Sequence, residues 1–440
     1  MTQTIIDPER VRNLLRERGV DSLARASIRD IVRIVNILEK ESGQHFIRME
    51  MGVPGLPAPA VGIEAEIDAL RRGVASRYPM IEGLDDLKSA ISRFTKLFLD
   101  IDVDPQGCIP TVGSMMGAFV CFLTANRNDR TKEGTLFLDP GFPVQKQQCR
   151  VLGQDFESID VYDHRGPKLE AALENILSRG KTSTLLYSNP NNPSWICFTE
   201  DELKTIARAA KRHDVIVIED LAYLCMDFRS NTGKPGHPPY QPTVARYTDQ
   251  YILLISSSKA FSYAGQRIGM MVVSDTLFQR RYPDLLRYYA SDVFGRALIY
   301  GAIYAISSGT SHSAQYGLKA MLEAACDGRF DFVAEVKEYG RRAHIMKNLF
   351  TLFGFHIVYD RDLDDPLADG FYFTLSYPGL DSGRLLEDLL CYGISAISLA
   401  ITGSTRTEGI RACVSQIGAE KLPELEERLR RFHEDHPLNP

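Results

Sequence analysis

The stretch Tyr251-Ile252-Leu253-Leu254-Ile255-Ser256-Ser257-Ser258-Lys259 decides how the rest of the chain is read. Its first five residues form an unbroken apolar run, the pattern of a strand covered on both faces rather than one. The lysine then falls just past the strand's carboxyl end, where open α/β sheets place their ligands. Partial burial there lowers an amine's pKa and frees it to form a Schiff base. The serines allow close approach of a phosphate and donate hydrogen bonds to it. Taken alone, the segment is as readily a polar turn carrying a surface lysine, because short motifs mislead.

Working outward, similar apolar runs occur at Gly134–Asp139, Thr184–Ser188, Val215–Glu219 and Gly269–Val273, with helical patterns between them from about 60 to 275. This alternation predicts an α/β fold with a mainly parallel sheet covered by helices on both faces. The run 215–219 leads into Asp220-Leu221-Ala222-Tyr223. A carboxylate at a strand end can keep a pyridine nitrogen protonated, which an electron-sink cofactor requires. The run 184–188 leads into Asn189-Pro190-Asn191-Asn192-Pro193, whose two Asn-Pro pairs force an extended, turning backbone. Each residue alone has an ordinary structural reading as a turn or core residue. Three consecutive strand ends nevertheless deliver Asn192, Asp220 and Lys259. Thr111-Val112-Gly113-Ser114-Met115-Met116-Gly117 opens an apolar helix, a combination that suits an anion. Asp139-Pro140-Gly141-Phe142-Pro143 ends a run with an aromatic able to stack on a flat ring.

The remainder frames this core. Residues 8–41 read as helical, 275–353 as a helical region, and the tail alternates strands (355–359, 370–376) with helices (382–391, 422–434), which suits a smaller α+β domain. A length of 440 residues suggests two or three domains, and a net charge of −6 does not advertise nucleic-acid binding. None of the eight cysteines forms a CxxC pair, so a zinc site or redox dithiol has little support. Met1–Arg10 lacks a signal-type apolar region, and no uncharged run approaches the roughly 18 residues of a membrane span; the cytoplasm is the expected location.

In order and content these segments resemble the class I/II aminotransferases, enzymes of the fold type I pyridoxal-phosphate group. The Ser-x-Ser-Lys segment, the Gly-x-Arg-x-Gly at 265–269, the Asn-Pro-x-Asn-Pro turn at 189–193 and the Asp-x-x-Tyr at 220–223 carry the resemblance. It extends to Gly52-x-Pro54-x-x-Pro57-x-Pro59, to Tyr78-Pro79-Met80-Ile81-Glu82-Gly83 and to Gly409-Ile410-Arg411-Ala412-Cys413-Val414, covering roughly 25–435. The resemblance implies a seven-stranded sheet in a large domain (61–315), with a small α+β domain built from both chain ends (1–60 and 316–440). It implies pyridoxal 5′-phosphate held as an aldimine on Lys259, with Asp220 at the ring nitrogen and Tyr223 and Asn192 at the ring oxygen. Ser114, Met115, Ser256 and Arg267 would cradle the phosphate, Phe142 would stack on the ring, and Tyr78 would reach the site of a second subunit in a homodimer. Gly52, Asn192 and Arg411 would hold the substrate, Arg411 gripping its α-carboxylate through a bidentate fork. The implied reaction is ping-pong transfer of an amino group between an L-amino acid and a 2-oxo acid, with Lys259, Asp220 and Tyr223 as the catalytic groups.

Three positions depart from the family pattern: Ser194-Trp195 stands where Thr-Gly is usual, Gly55 where Asp is usual, and Met115-Met116 where a small residue and Gln are common. They lie around the cofactor and entrance, and bear on substrate more than on cofactor. A carbon–sulfur lyase of the same fold is the nearest alternative. A non-catalytic regulator is less favoured, because the roughly 50 residues before Gly52 are too few for a DNA-binding module plus the family's first helix. Tyr288, Tyr289 and Arg296 are candidate pocket residues that equally suit a core or a surface.

Overall fold

Residues 8–41 form two helices rather than one in the computed structural model, which describes residues 4–132 and 134–438. The first, α1 (Pro8–Glu17), stops ahead of Gly19 at φ +65. The second, α2 (Ile28–Ser42), starts at Ser27, which exchanges hydrogen bonds with Asp30 in a capping box. Apolar spacing continues across the break because Leu23 and Ala26 are themselves buried. A two-residue strand, β1 (Ile47–Arg48), follows, then α3 (Ala60–Arg71) and α4 (Asp85–Leu99).

The central sheet contains β2 (Cys108–Thr111), β3 (Gly134–Asp139), β4 (Phe156–Asp160), β5 (Thr182–Ser188), β6 (Ile216–Leu221), β7 (Tyr251–Ser256) and β8 (Gly269–Val273), in the spatial order β2-β8-β7-β6-β5-β3-β4. Only β8 runs against the others. The five interior strands are the five apolar runs read from the sequence. Both edges were missed, for opposite reasons: β2 carries Pro110, which an edge tolerates, and β4 is polar and largely solvent-facing. Side chains alternate between two apolar layers. Ile252 and Leu254 of β7 join the layer under α5 (Gly113–Ala125), while Leu253 and Ile255 join the larger one under α7 (Leu169–Leu177) and α8 (Glu200–His213). Between β3 and β4 lies α6 (Pro143–Leu152). A short helix, α9 (Ser257–Ala260), follows β7 directly.

The region 275–353 is helical only in part. An irregular segment over 280–293 and a π-helical turn at Ala297–Ile303 interrupt it before the long helices His312–Cys326 and Glu338–Leu352. The tail carries β9 (His356–Ile357), a small β10–β11 hairpin (Arg361–Asp362, Asp365–Pro366), β12 (Tyr372–Ser376), β13 (Ile394–Ser395), β14 (Ile397–Ser398) and β15 (Ile410–Cys413). Strands β14-β15-β12-β9 form an antiparallel sheet, and β1 pairs parallel with β13, so the two ends of the chain are joined. No helix among the described residues is long and apolar enough to cross a membrane.

Candidate active site

The parallel strands place Asp139, Ser188, Asp220 and Ser256 along one sheet edge, and the register sets their neighbours. Ser256 faces Gly269 across β7–β8, and Gly269 faces Thr111 across β8–β2. The amino end of α5 therefore opens beside the end of β7. Gly113 takes φ +68, a left-handed conformation that costs glycine little, and the Arg267 guanidinium lies across it, 2.9 Å from where a β-carbon would stand. No side chain caps this helix, so the first-turn N–H groups of Ser114 and Met115 are free of one. The Ser256 hydroxyl accepts from the Ser258 N–H at 3.1 Å. Uncapped helix N–H groups and a guanidinium lie together here, with the Ser256 hydroxyl at the neighbouring strand end, a combination of donors that suits an oxyanion.

Lys259 stands on α9, half-buried, with its ammonium donating to the Gly52 carbonyl and lying 5.7 Å from the Phe371 ring centre. Burial pushes its pKa down to about 8, and the cations Arg267 and Arg411 push the same way. One strand away, Asp220 is 6% exposed. It accepts from the Gln145 amide at 2.8 Å and from the Ala222 N–H at 3.1 Å, both neutral donors. Burial accordingly raises its carboxyl to about 6. Gln145, on α6, escaped the sequence reading; one turn after Phe142, it looked like an ordinary polar helix residue.

Arg411, on β15, is 1% exposed and likewise lacks an opposite charge among the described residues. It donates to Asn192 Oδ1 at 3.3 Å and to the Glu50 carbonyl at 2.7 Å, while its Nε has no partner. Asn192 in turn donates to the Tyr223 hydroxyl at 3.5 Å, and Tyr223 donates to the Tyr372 hydroxyl at 2.9 Å. Tyr372 also went unread, since it lies on a strand recognised only by its apolar pattern. Its hydroxyl stands where a side chain at position 52 would be: a β-carbon on Gly52 would lie 1.9 Å from it.

Contacts thus link Lys259, Gly52, Asn192, Tyr223 and Arg411, and the sheet register sets Asp220 and the Ser114–Arg267–Ser256 cradle along the same edge. Phe142 is half-buried as the residue preceding α6. Tyr78 is 96% exposed and contributes nothing to this chain's own cleft. Tyr289 donates to the carbonyl of Leu123 on α5, the Tyr288 ring lies against Arg127 and Arg287, and Arg296 is exposed.

The sequence pattern of the family described as aminotransferase class I and II matches residues 45–358, well over half the chain. This chain belongs to the class I and II aminotransferases. Its curated relatives include the "Probable aspartate aminotransferase" of Methanocaldococcus jannaschii, 27% identical over 232 residues, which are 52% of this chain and 58% of that one. The LL-diaminopimelate aminotransferase of Natranaerobius thermophilus is 24% identical over 362 residues, 80% of this chain and 82% of the relative. The first of these matches thus spans little more than half of the relative's length. Among solved structures, the Thermus thermophilus aspartate aminotransferase with maleate shares the fold, with a TM-score of 0.73 and 19% identity over 92% of this chain and 96% of that one. Within this aminotransferase family the departures at 55 and 195 have local causes. A β-carbon at Gly55 would fall 1.7 Å from the Ser415 carbonyl oxygen, which leaves no room for the usual Asp. Trp195 takes a left-handed backbone, at φ +66, a conformation that suits glycine, and is wholly buried.

Proposed function

We propose that this chain is a pyridoxal-phosphate aminotransferase that moves an amino group between an L-amino acid and a 2-oxo acid in two half-reactions. One observation carries the reading: two buried charges of opposite sign, Asp220 and Arg411, each have only neutral partners, and the chain also offers a lysine whose pKa burial lowers to about 8, so that an appreciable fraction of its amine is neutral at physiological pH. Buried charge without a counter-ion is costly, and a bound group that supplies both countercharges removes that cost. A pyridinium nitrogen suits Asp220, a substrate carboxylate suits Arg411, an aldehyde suits Lys259, and a phosphate suits the cradle at Ser114, Met115, Ser256 and Arg267.

Pyridoxal phosphate, when bound, supplies an electron sink for the charge left at the substrate's Cα. The chain's own groups do the rest. Asp220 would hold a proton on the ring nitrogen, Tyr223 and Asn192 would hydrogen-bond the ring oxygen, and Phe142 would pack on the ring face. Arg411 grips the substrate carboxylate beside Gly52 and Asn192, which orients the Cα–H bond. With the cofactor bound, the Lys259 amine would be the group that takes the proton from the substrate's Cα and later gives it back. Tyr78 and its neighbour Met80 are both exposed, and Tyr78 would reach the phosphate of a second subunit in a homodimer.

The test is a single half-reaction. Loaded protein mixed with L-amino acids one at a time, and no oxo acid, should convert its cofactor to pyridoxamine phosphate with one equivalent of 2-oxo acid. Pyruvate and ammonia produced catalytically, with the cofactor unchanged, would instead mean elimination. A pH dependence accompanies loading. Only the neutral amine attacks an aldehyde, so the rate at which Lys259 takes up pyridoxal phosphate should rise about tenfold per pH unit below pH 8 and level off above it. A rise continuing past pH 10, measured by stopped-flow absorbance, would place the lysine in solvent.

A further inference from the structure

The positive charge of Arg411 rests on an aromatic ring. Its guanidinium carbon lies 4.3 Å from the centre of the Tyr372 ring, and both residues are buried. That ring is itself held edge-on. Trp195 meets it at 6.2 Å and 68°, and meets Tyr223 at 5.2 Å and 66°, while Tyr223 and Tyr372 stand 5.4 Å apart at 77°. Three rings therefore brace one another in edge-to-face geometry, which suits the quadrupoles of aromatic faces and edges. Two features show that the indole is held there against ordinary preferences. Its backbone is left-handed, where a bulky residue is retained only if its surroundings fix it, and its buried Nε1 has no hydrogen-bond partner. Space has been cleared for it as well: a β-carbon at Gly370 would lie 1.9 Å from the indole.

A carboxylate in place of this ring would neutralise Arg411 and compete with any incoming anion. A ring face stabilises and orients the guanidinium while leaving its charge available. We propose that Tyr372 and Trp195 are positioning residues that preset Arg411 for the substrate carboxylate: the Tyr372 ring carries the guanidinium face-on, and the Trp195 indole holds that ring upright. The inference rests on the reading of Arg411 as the carboxylate-binding group. It gives the tryptophan that replaces the family's usual glycine a task in substrate binding. The ring, rather than the hydroxyl, does the positioning, so phenylalanine suffices at 372.

Loaded wild type, Tyr372→Phe, Tyr372→Leu and Trp195→Gly are titrated calorimetrically with propionate, a carboxylate that has no amine to react. Tyr372→Phe should bind within about threefold of wild type, whereas Tyr372→Leu should bind about tenfold more weakly or worse, the scale of a desolvated cation–π contact. Trp195→Gly should weaken binding about fivefold by the same route, because the ring it braces is then free to tilt. KM for amino acid and oxo acid should rise by the same factors with kcat within about threefold, since a grip on a non-reacting group acts alike in ground and transition states. Unchanged propionate affinity in Tyr372→Leu overturns the proposal, as does a Tyr372→Phe protein as weak as Tyr372→Leu. Should Tyr372→Leu fail to fold, Trp195→Gly decides, because glycine is at ease in the left-handed backbone there; unchanged affinity in that variant overturns it too. Failure of the functional reading is separately visible as wild type that gains no near-visible absorbance from pyridoxal phosphate. Failure of this inference leaves that absorbance intact.

Discussion

Lys259→Ala protein should gain none of the near-visible absorbance that pyridoxal phosphate acquires on covalent attachment to a lysine, and its amino transfer should fall by at least about 10⁴-fold. Both losses follow from one geometry. Lys259 is the amine whose environment suits nucleophilic attack, half-buried with its pKa drawn down to about 8. The other lysines within the fold do not replace it. Lys146, the buried amine nearest this sheet edge in sequence, is engaged by the Asp139 carboxylate and the Thr402 carbonyl. An amine committed to these two oxygens is not free to attack an aldehyde. The proposed phosphate cradle is left in place by the substitution, so the variant should still bind pyridoxal phosphate without a covalent bond, and dialysis should remove it readily. Full retention of the absorbance after dialysis would transfer the role to another lysine and dissolve the assignment.

What the sequence revealed and what it concealed divide along a physical line. Interior strands are buried on both faces and therefore write themselves as continuous apolar runs. The two edge strands, with Pro110 in one and Glu157-Ser158 in the other, lack that constraint and went unread. The residues at strand ends were legible because each sits in a local turn with its own chemistry: Asn192 between prolines, Asp220 ahead of Tyr223, Lys259 after serines. Arg411 was legible only through resemblance, since one arginine in an apolar strand looks like many others. Gln145 and Tyr372 were invisible because their meaning lies in partners 75 and 149 residues away, Asp220 and Tyr223. Trp195 stood out as a departure from pattern, but neither its left-handed backbone nor the clearance opposite at Gly370 can be read from a one-dimensional string.

Asp220→Asn should separate function from stability by moving them in opposite directions. Asparagine keeps the shape of the side chain and its contacts with the Ala222 N–H and, after rotation, with Gln145, but it cannot hold a proton on a pyridine nitrogen. Amino transfer should therefore fall about 10³-fold or more, the scale seen when a preorganised charge is removed from the place where transition-state charge develops. The unloaded chain should respond in the other sense. Burial raises the Asp220 carboxyl from its usual 3.8 to about 6, which means the folded state holds its proton more tightly than the unfolded state does. Stability from this group is fully present below pH 4 and is lost as the pH climbs to about 6. At neutral pH the ionised carboxylate, with two neutral donors and no cation, then costs the fold about 3 kcal/mol. Asp139 and Glu219 are raised for the same reason of burial, so the informative quantity is the difference between wild type and variant rather than either profile alone. In urea unfolding of the unloaded proteins, Asp220→Asn should be the more stable at pH 7, with the gap closing as the pH falls towards 4. Adding pyridoxal phosphate should reverse the order, because a pyridinium nitrogen supplies wild type with the missing countercharge and offers the variant nothing. If the variant were instead destabilised at pH 7 in the unloaded state, the carboxylate would already have a cation to satisfy it. The site would then have been built around something other than a positively charged ring.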